Sequence, residues 1–433
     1  MSRRLLLLCY FYPPLAGGGV HRVLAWTRYL PAHGWSCTVV CAGEEDYWVT
    51  DASLVERIPA DARVERVRGG SGLSALLSLR GRRGREGAGR RSGAAFGALR
   101  RLSDLFLLPD SYAGWSRRAA RTALRLAREA RFDAVLSSSP PDSVHLAARA
   151  VQRATGLPWA ADFRDPWVPL YFRDPPTAWH MARQAALEKS VIEEAAVVLA
   201  ASRTHADAVG ARSGARARRV VHLPNGFEPG TAGGADPGAA TGAAPAFRMA
   251  FTGTLSQMID TEQFLDALHE VLAARPEARR RIRVRMCGPY DVHYENRAVA
   301  LGFTGIVTWT GPLSHAEARR AQREADLLLL WKPHHGRTMV PGKTYEYLDS
   351  GRPILALLPA GDEAAALVAR AGGAVVDPGD RAAIAAAIGA RYDAWKETGR
   401  APGTRPDWLD EFARPALAAR LASVLDDLVS SPA

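Results

Sequence analysis

The sequence predicts an α/β fold of two doubly wound, Rossmann-like parallel-sheet domains facing each other across a cleft, with a C-terminal helix packing back. Three observations carry this. The chain has 433 residues, too many for one ordinary core and suited to two domains of about 200 residues each. Short apolar runs of strand length alternate with amphipathic runs of helix length, the pattern of strand–helix–strand units. The alternation stops at PGTAGGADPGAATGAAPA, residues 229–246, and then begins again. A stretch almost wholly of Gly, Ala, Pro and Thr buries nothing and reads as a flexible linker. The domains are accordingly 1–228 and 247–397, with a helical segment at 398–433.

In the first half, Leu5 to Tyr10 reads as a strand, and Gly17, Gly18 and Gly19 stand just before a helix carrying Val20, Val23, Leu24 and Leu30 on one face. Cys37–Ala42 and Arg63–Val67 are the next strands. From 69 to 101 the apolar period disappears into Gly, Ser and Arg, a mobile surface insertion. A helix from Ser116 to Ala130, a strand from Asp133 to Ser137 and a second helix between Pro141 and Gly156 follow. Pro158–Phe163 is a strand that delivers DFRDPW, residues 162–167, at its carboxyl end. The helix Thr177–Glu194, the strand Ala196–Ala201, a helix opened by Ser202 and the strand Val220–Leu223 bring the half to PNGFEP.

The second half repeats the scheme. Strand Phe247–Phe251 ends in TGTLSQ, strand Ile282–Cys287 in GPY, and strand Val307–Trp309 in TGPL. The helix Thr261–Ala274 lies after the first of these, and Ser314 opens another with Glu317 at capping-box spacing. The apolar run Leu327–Trp331 leads into PGKTYEYLDSGRP, residues 341–353, whose proline and glycine ends bound a helix before strand Ile354–Leu358. Helices Glu363–Ala371, Arg381–Glu397 and Asp407–Leu428 and the strand Ala374–Val376 complete the chain.

Composition narrows the class. With 47% hydrophobic and 23% charged residues the chain is globular rather than disordered. No apolar run approaches the roughly 20 residues that span a bilayer. The opening MSRRLLLLCYFYPP superficially imitates a signal peptide, but two prolines interrupt a brief apolar core, so it reads as a first buried strand and places the chain in the cytoplasm. Cys9, Cys37, Cys41 and Cys287 lie in apolar runs without metal-ligand spacing, which predicts free thiols and a reducing compartment. Four lysines against 52 arginines, with abundant Ala and Gly, point to GC-rich bacterial coding. Of the net charge of +11, a surplus of seven sits between Arg80 and Arg101, which hold eight arginines and one glutamate, leaving +4 for the rest. That run is expected to offer peripheral contact with an anionic membrane at the inner face, or with an acidic acceptor. Apart from Phe96 no aromatic residue interleaves it, which disfavours nucleic acid.

Two stretches carry chemistry. In 341–353 the first helical turn points N–H groups at the carboxyl edge of the sheet, where anions bind, with Lys343 in that turn. Glu346, one turn later on the same face, is a carboxylate able to take both hydroxyls of a vicinal diol such as a ribose. Together they make a grip for a nucleotide-diphosphate sugar; the plain alternative is an amphipathic helix with a solvated Lys–Glu pair. In DFRDPW, Asp162 and Asp165 bracket Arg164 on the acceptor side, either facing a substrate or capping and pairing within a turn. Gly17–Gly19 lets backbone approach a ligand at a helix start, or is simply a loop.

Taken in order, the glycine loop after strand one, PNG, TGTL, CGP, TGPL and KTYEYLDSGRPIL resemble the retaining glycosyltransferases of family 4, which have the GT-B fold. The likeness runs from about residue 5 to 395. It implies a hexosyltransferase-like enzyme without cofactor or metal, whose substrate is a UDP- or GDP-linked sugar held by the second domain and whose acceptor is held by the first. By the resemblance, Glu346 holds the ribose, Gly311, Pro312 and Leu313 lie by the base, and Gly288 and Pro289 occupy the adjoining turn. Gly253 and Thr254 belong to the donor loop, and Gly17, Gly18 and Gly19 approach the diphosphate and sugar. Asp162 is the protein group expected to polarise a substrate hydroxyl.

Two departures stand out. The family's Arg and Lys after the first strand of the second domain are missing from TGTLSQMIDTEQ, so Lys343 is expected to stabilise the departing diphosphate, with Arg337 or Lys332. Thr338 stands where the family has a glutamate eight residues before Glu346, and His335, Gly336, Arg337 and Thr338 mark the donor-sugar region. Rival readings are a sugar-nucleotide epimerase, a glycan phosphorylase, or a basic anion-binding protein without catalysis. The acceptor is expected to be a cell-surface glycan or lipid-linked precursor ahead of a small metabolite.

Overall fold

The computed structural model describes residues 2–15, 17–44, 50–69, 105–169, 175–213, 219–230, 245–255, 259, 261–333, 338–399 and 403–430. The Arg80–Arg101 run, most of the linker, and His335, Gly336 and Arg337 therefore lie outside the described residues. The chain forms two compact units, Met1–Pro224 with Arg414–Ala433, and Asn225–Ala413.

In the first unit the elements run β1 (Arg3–Cys9), α1 (Gly18–Tyr29), β2 (Trp35–Ala42), β3 (Arg63–Val67), α2 (Ala113–Glu129), β4 (Ala134–Ser139), α3 (Ser143–Thr155), β5 (Trp159–Phe163), α4 (Ala178–Glu194), β6 (Val197–Ala200), α5 (Arg203–Ser213) and β7 (Val220–His222). The strands form one parallel seven-stranded sheet in the order β3-β2-β1-β4-β5-β6-β7. Its centre explains the run of leucines near the start. Leu5, Leu6, Leu7 and Leu8 are fully buried, Leu5 and Leu7 in the core on one face and Leu6 and Leu8 in the core on the other. A central parallel strand is covered on both faces and so loses the polar alternation of a surface strand.

The second unit runs β8 (Phe247–Thr252), α6 (Glu262–Ala274), β9 (Ile282–Cys287), α7 (Val292–Ala300), β10 (Val307–Gly311), α8 (His315–Glu324), β11 (Leu327–Leu330), α9 (Gly342–Asp349), β12 (Ile354–Leu357), α10 (Glu363–Arg370), β13 (Ala374–Val376) and α11 (Arg381–Thr398). Its parallel sheet is ordered β10-β9-β8-β11-β12-β13, so the strand order reverses between β8 and β11, the place where such sheets bind ligands. Leu327 and Leu329 face one core, and Leu328 and Leu330 the other. The helix α7, capped by Asp291, has no counterpart in the sequence reading.

The last helix, α12 (Arg414–Ser430), belongs to the first unit. Leu417, Leu421 and Leu425 enter the core that holds Trp26 and Leu30, and Trp35 Nε1 donates to Asp426 at 2.8 Å. Phe227, which the sequence reading put in the first half, packs in the second unit: it is fully buried, its N–H donates to Phe412 O, and Arg405 lies 5.4 Å from its ring. The PNG turn therefore straddles the boundary, because the phenylalanine finds its apolar partners downstream.

Candidate active site

In the second unit, β8, β9 and β10 each give way at the carboxyl end to a glycine with positive φ: Gly253 at 138°, Gly288 at 131° and Gly311 at 70°. Main-chain bonds join the turns, with Gly253 N–H donating to Cys287 O at 2.8 Å, Gly288 N–H to Gly311 O at 2.9 Å and Leu255 N–H to Pro289 O at 2.9 Å. A Cβ on Gly288 would stand 2.2 Å from Gly253 O, so only glycine permits this approach. Gly253, Thr254, Pro289 and Pro312 are exposed, and Gly288, Gly311 and Leu313 half-buried, along one edge of the sheet.

The helix α9 rises beside that edge. The residue that caps its start, Pro341, provides no side-chain hydrogen bond. The Lys343 ammonium sits 3.8 Å over the Phe251 ring, and a Cβ on Gly253 would come within 2.8 Å of its Nζ. Burial pushes Lys343 down to about 7, while Glu346 pulls the other way. At neutral pH this amine is poised between charged and neutral.

Glu346, whose carboxylate is 15% exposed, is held from a neighbouring helix: His315 Nε2 donates to Oε1 and Gln322 Nε2 to Oε2, each at 3.1 Å. Gln322 Nε2 also donates to Thr252 Oγ1 at 3.0 Å, and Arg319 Nη1 donates to Gln322 Oε1 at 2.7 Å and to Glu346 O at 2.6 Å. Thr252 N–H in turn donates to the Tyr347 hydroxyl at 2.8 Å. His315, Arg319 and Gln322 are spaced i, i+4 and i+7, one face of α8. Sequence reading found the start of α8, and Ser314 and Glu317 do form its capping box. It missed what the helix presents, although that spacing of polar residues was the available signal.

Lys332 is engaged within the second unit. It is buried, pairs with Asp362 and donates to Met339 O at 2.9 Å. Thr338 is half-buried.

The first unit has its own constellation at the carboxyl ends of β1 and β5. Gly17, with φ 128°, and Gly18 are exposed at the start of α1, and a Cβ on Gly19 would lie 3.5 Å from the Arg164 guanidinium. Arg164 pairs with Asp165 at 2.5 Å. Asp162 is turned inward. It is fully buried; its Oδ1 accepts from Arg22 Nη2 at 2.7 Å, and its Oδ2 from Arg22 Nε at 3.1 Å and Ser138 Oγ at 2.8 Å. A carboxylate clamped two-pronged by a buried guanidinium fastens α1 to β5 and positions the glycine loop. Nearby, burial pushes His145 down to about 3 and His205 down to about 4, so both imidazoles are neutral at physiological pH.

Residues 17–226 match the family described as Glycosyl transferase 4-like domain, and residues 246–393 match Glycosyl transferases group 1. The chain is a family 4-like glycosyltransferase of the GT-B fold. The transferase superposes on sucrose-phosphate synthase from Thermosynechococcus elongatus with TM-score 0.68 at 14% identity, covering 100% of both chains. It superposes on HepE from Anabaena, in complex with UDP and glucose, with TM-score 0.63 at 15% identity, covering 98% of this chain and 100% of that one. For trehalose 6-phosphate synthase from Burkholderia multivorans the values are 0.62 and 14%, covering 99% of each. At these identities the likeness is one of fold. No curated protein sequence matches the chain. Among the described residues of the transferase, no helix is long and apolar enough to cross a membrane.

Proposed function

We propose that this glycosyltransferase is a retaining, metal-independent enzyme that takes a sugar from a UDP- or GDP-linked donor and transfers it to a hydroxyl of a cell-surface glycan or lipid-linked precursor. One observation carries the reading: Glu346, oriented by His315 and Gln322, lies one helical turn behind Lys343, and Lys343 stands against Gly253 at the edge of the second sheet. A carboxylate fixed by two donors is prepared to accept the two hydroxyls of a ribose, and an ammonium beside a glycine turn is prepared for the diphosphate.

When the bond from the anomeric carbon to the diphosphate oxygen breaks, charge collects on the diphosphate and the sugar becomes oxocarbenium-like. Lys343 and the first amides of α9 would stabilise that charge, each well-placed donor contributing roughly 3–4 kcal/mol. The acceptor oxygen then bonds to the anomeric carbon on the face the diphosphate leaves, and its proton passes to the departing phosphate oxygen. The reducing cytoplasm suits the four cysteines, all free and buried.

HepE is in complex with UDP and glucose, which makes UDP-glucose the first donor to try. Thermal unfolding is followed with UDP-, GDP-, ADP- and dTDP-sugars, since a ligand bound by the folded state raises the midpoint. One donor series is expected to raise it, Glu346→Ala to abolish the shift, and Lys343→Ala to weaken it. An undiminished shift in both variants would overturn the assignment, and the anomeric configuration of the product, read by NMR, tests retention.

A further inference from the structure

The second unit holds a cavity that the donor grip does not use. It lies at the amino edge of the sheet, where Arg352 leads into β12 and Gly372 into β13, whereas Gly253, Gly288 and Gly311 stand at the carboxyl edge. Its walls come from the ends of α9 and α10, from α11 at Arg391 and from the segment Gly403–Thr404. The volume is about 60 Å³, room for about four waters or for one tetrahedral oxyanion. The walls are fixed before anything enters. A Cβ on Gly403 would stand 2.1 Å from Gly351 O, so only glycine lets these two segments meet. Arg405, the residue after Thr404, pairs with Asp349 of α9 at 3.0 Å and holds that wall in place. A preformed hollow binds without the cost of gathering its own walls.

Charge decides what fills it. Arg352, Arg391 and Thr404 line the cavity, and among the described residues no carboxylate does. Asp349 on α9 and Asp393 on α11 are engaged elsewhere: Asp349 pairs with Arg319 at 2.5 Å and with Arg405, and Asp393 with Arg275 at 2.7 Å and Lys396 at 3.0 Å. The helix ends that meet there are served by their own main chain. Gly351 N–H donates to Leu348 O at 3.2 Å, Gly372 N–H to Ala369 O at 2.9 Å and Gly373 N–H to Val368 O at 2.9 Å. Arg391 is half-buried and makes no ion pair or hydrogen bond among the described residues. A guanidinium in that position offers a planar fork matched to two oxygens of a phosphate, and a second guanidinium and a hydroxyl stand in the same hollow.

We propose that this cavity binds a single phosphate group, free or carried by a small monoester, through Arg352, Arg391 and the Thr404 hydroxyl, at a site separate from the donor grip. The volume takes one phosphate and not a nucleotide. Gly372, Gly403 and Thr404 are exposed, so the ester oxygen of a bound monoester has an exit to solvent, while buried Leu348 and Ile354 bring no competing charge to the inner wall. Binding there is independent of the transferase reading, because none of these side chains belongs to the donor grip.

Inorganic phosphate and glycerol 3-phosphate are titrated calorimetrically into the full chain, with sodium chloride at matched ionic strength as the blank. Saturable binding of at least one of the two is expected, with chloride inert. Arg391→Gln is expected to weaken it by about tenfold or more, while Lys343→Met, at the opposite edge of the sheet, leaves it unchanged. Should Arg391→Gln fail to fold, Arg391→Lys keeps the charge and loses the fork, and is expected to weaken binding with the melting transition preserved. Tighter binding of glycerol 3-phosphate assigns the site to monoesters, and tighter binding of inorganic phosphate to the free ion. The proposal is overturned by a wild type that shows no saturable binding, by undiminished affinity in the Arg391 variants, or by binding that Lys343→Met abolishes and Arg391→Gln leaves intact, which places the phosphate in the donor grip.

Discussion

The titration of Lys343 turns the geometry of the second unit into a measurable pH dependence. In the free protein, burial holds this lysine at about 7, well below its ordinary 10.5. A bound diphosphate favours the ammonium, so the complex holds more protons than the free protein above pH 7 and donor affinity falls as pH rises through that value. If the bound-state pKa lies at least one unit above 8.5, the donor dissociation constant rises about thirtyfold between pH 6 and pH 8.5. A nucleotide sugar is the ligand of choice, because its diphosphate diester has a fixed charge over this range. Calorimetric titration at several pH values and in buffers of different ionisation enthalpy reads both the constant and the proton uptake. Lys343→Met is expected to bind weakly at all pH values with no uptake, and Lys343→Arg to flatten the profile. The reasoning is refuted if the wild-type constant is flat, or if its slope survives in Lys343→Met. The same depressed pKa acts on the free fold with a definite sign. The unfolded chain binds more protons between pH 7 and 10.5, so Lys343 lets stability rise across that window and fall as pH drops through it.

Other substitutions separate support from contact. Gly288→Ala, forced to φ 131° with a carbonyl oxygen 2.2 Å from its Cβ, should cost about 2–5 kcal/mol and lower the melting transition of the second unit. Asp162→Ala strands the buried guanidinium of Arg22 and should destabilise the first unit by about 3–5 kcal/mol while the donor-induced thermal shift remains; adding Arg22→Met should restore much of the loss, as judged by urea titration. His315→Ala should weaken donor binding by about tenfold with little change in melting temperature, through a loosened Glu346, measured by calorimetry.

The sequence by itself determined the two parallel sheets, because a strand buried on both faces must be apolar throughout and the runs Leu5–Leu8 and Leu327–Leu330 admit few other placements. It also determined that glycines end the strands and that Lys343 and Glu346 share a helical face, since both are local matters of φ and of helical period. It could not assign partners. DFRDPW looks the same whether Asp162 meets a substrate or Arg22, and Arg22 lies 140 residues away in the chain. Lys332 and Lys343 are equally cationic as letters, and only packing sends one to buried Asp362 and the other to the face of Phe251. His315 and Gln322 become supports of Glu346 only when α8 is laid beside α9. The C-terminal helix returns to the first unit because Leu417, Leu421 and Leu425 complete a core begun some 400 residues earlier. Local pattern specifies elements, whereas the charges that those elements bury must be matched by residues brought from elsewhere in the chain, and that matching exists only in the folded molecule.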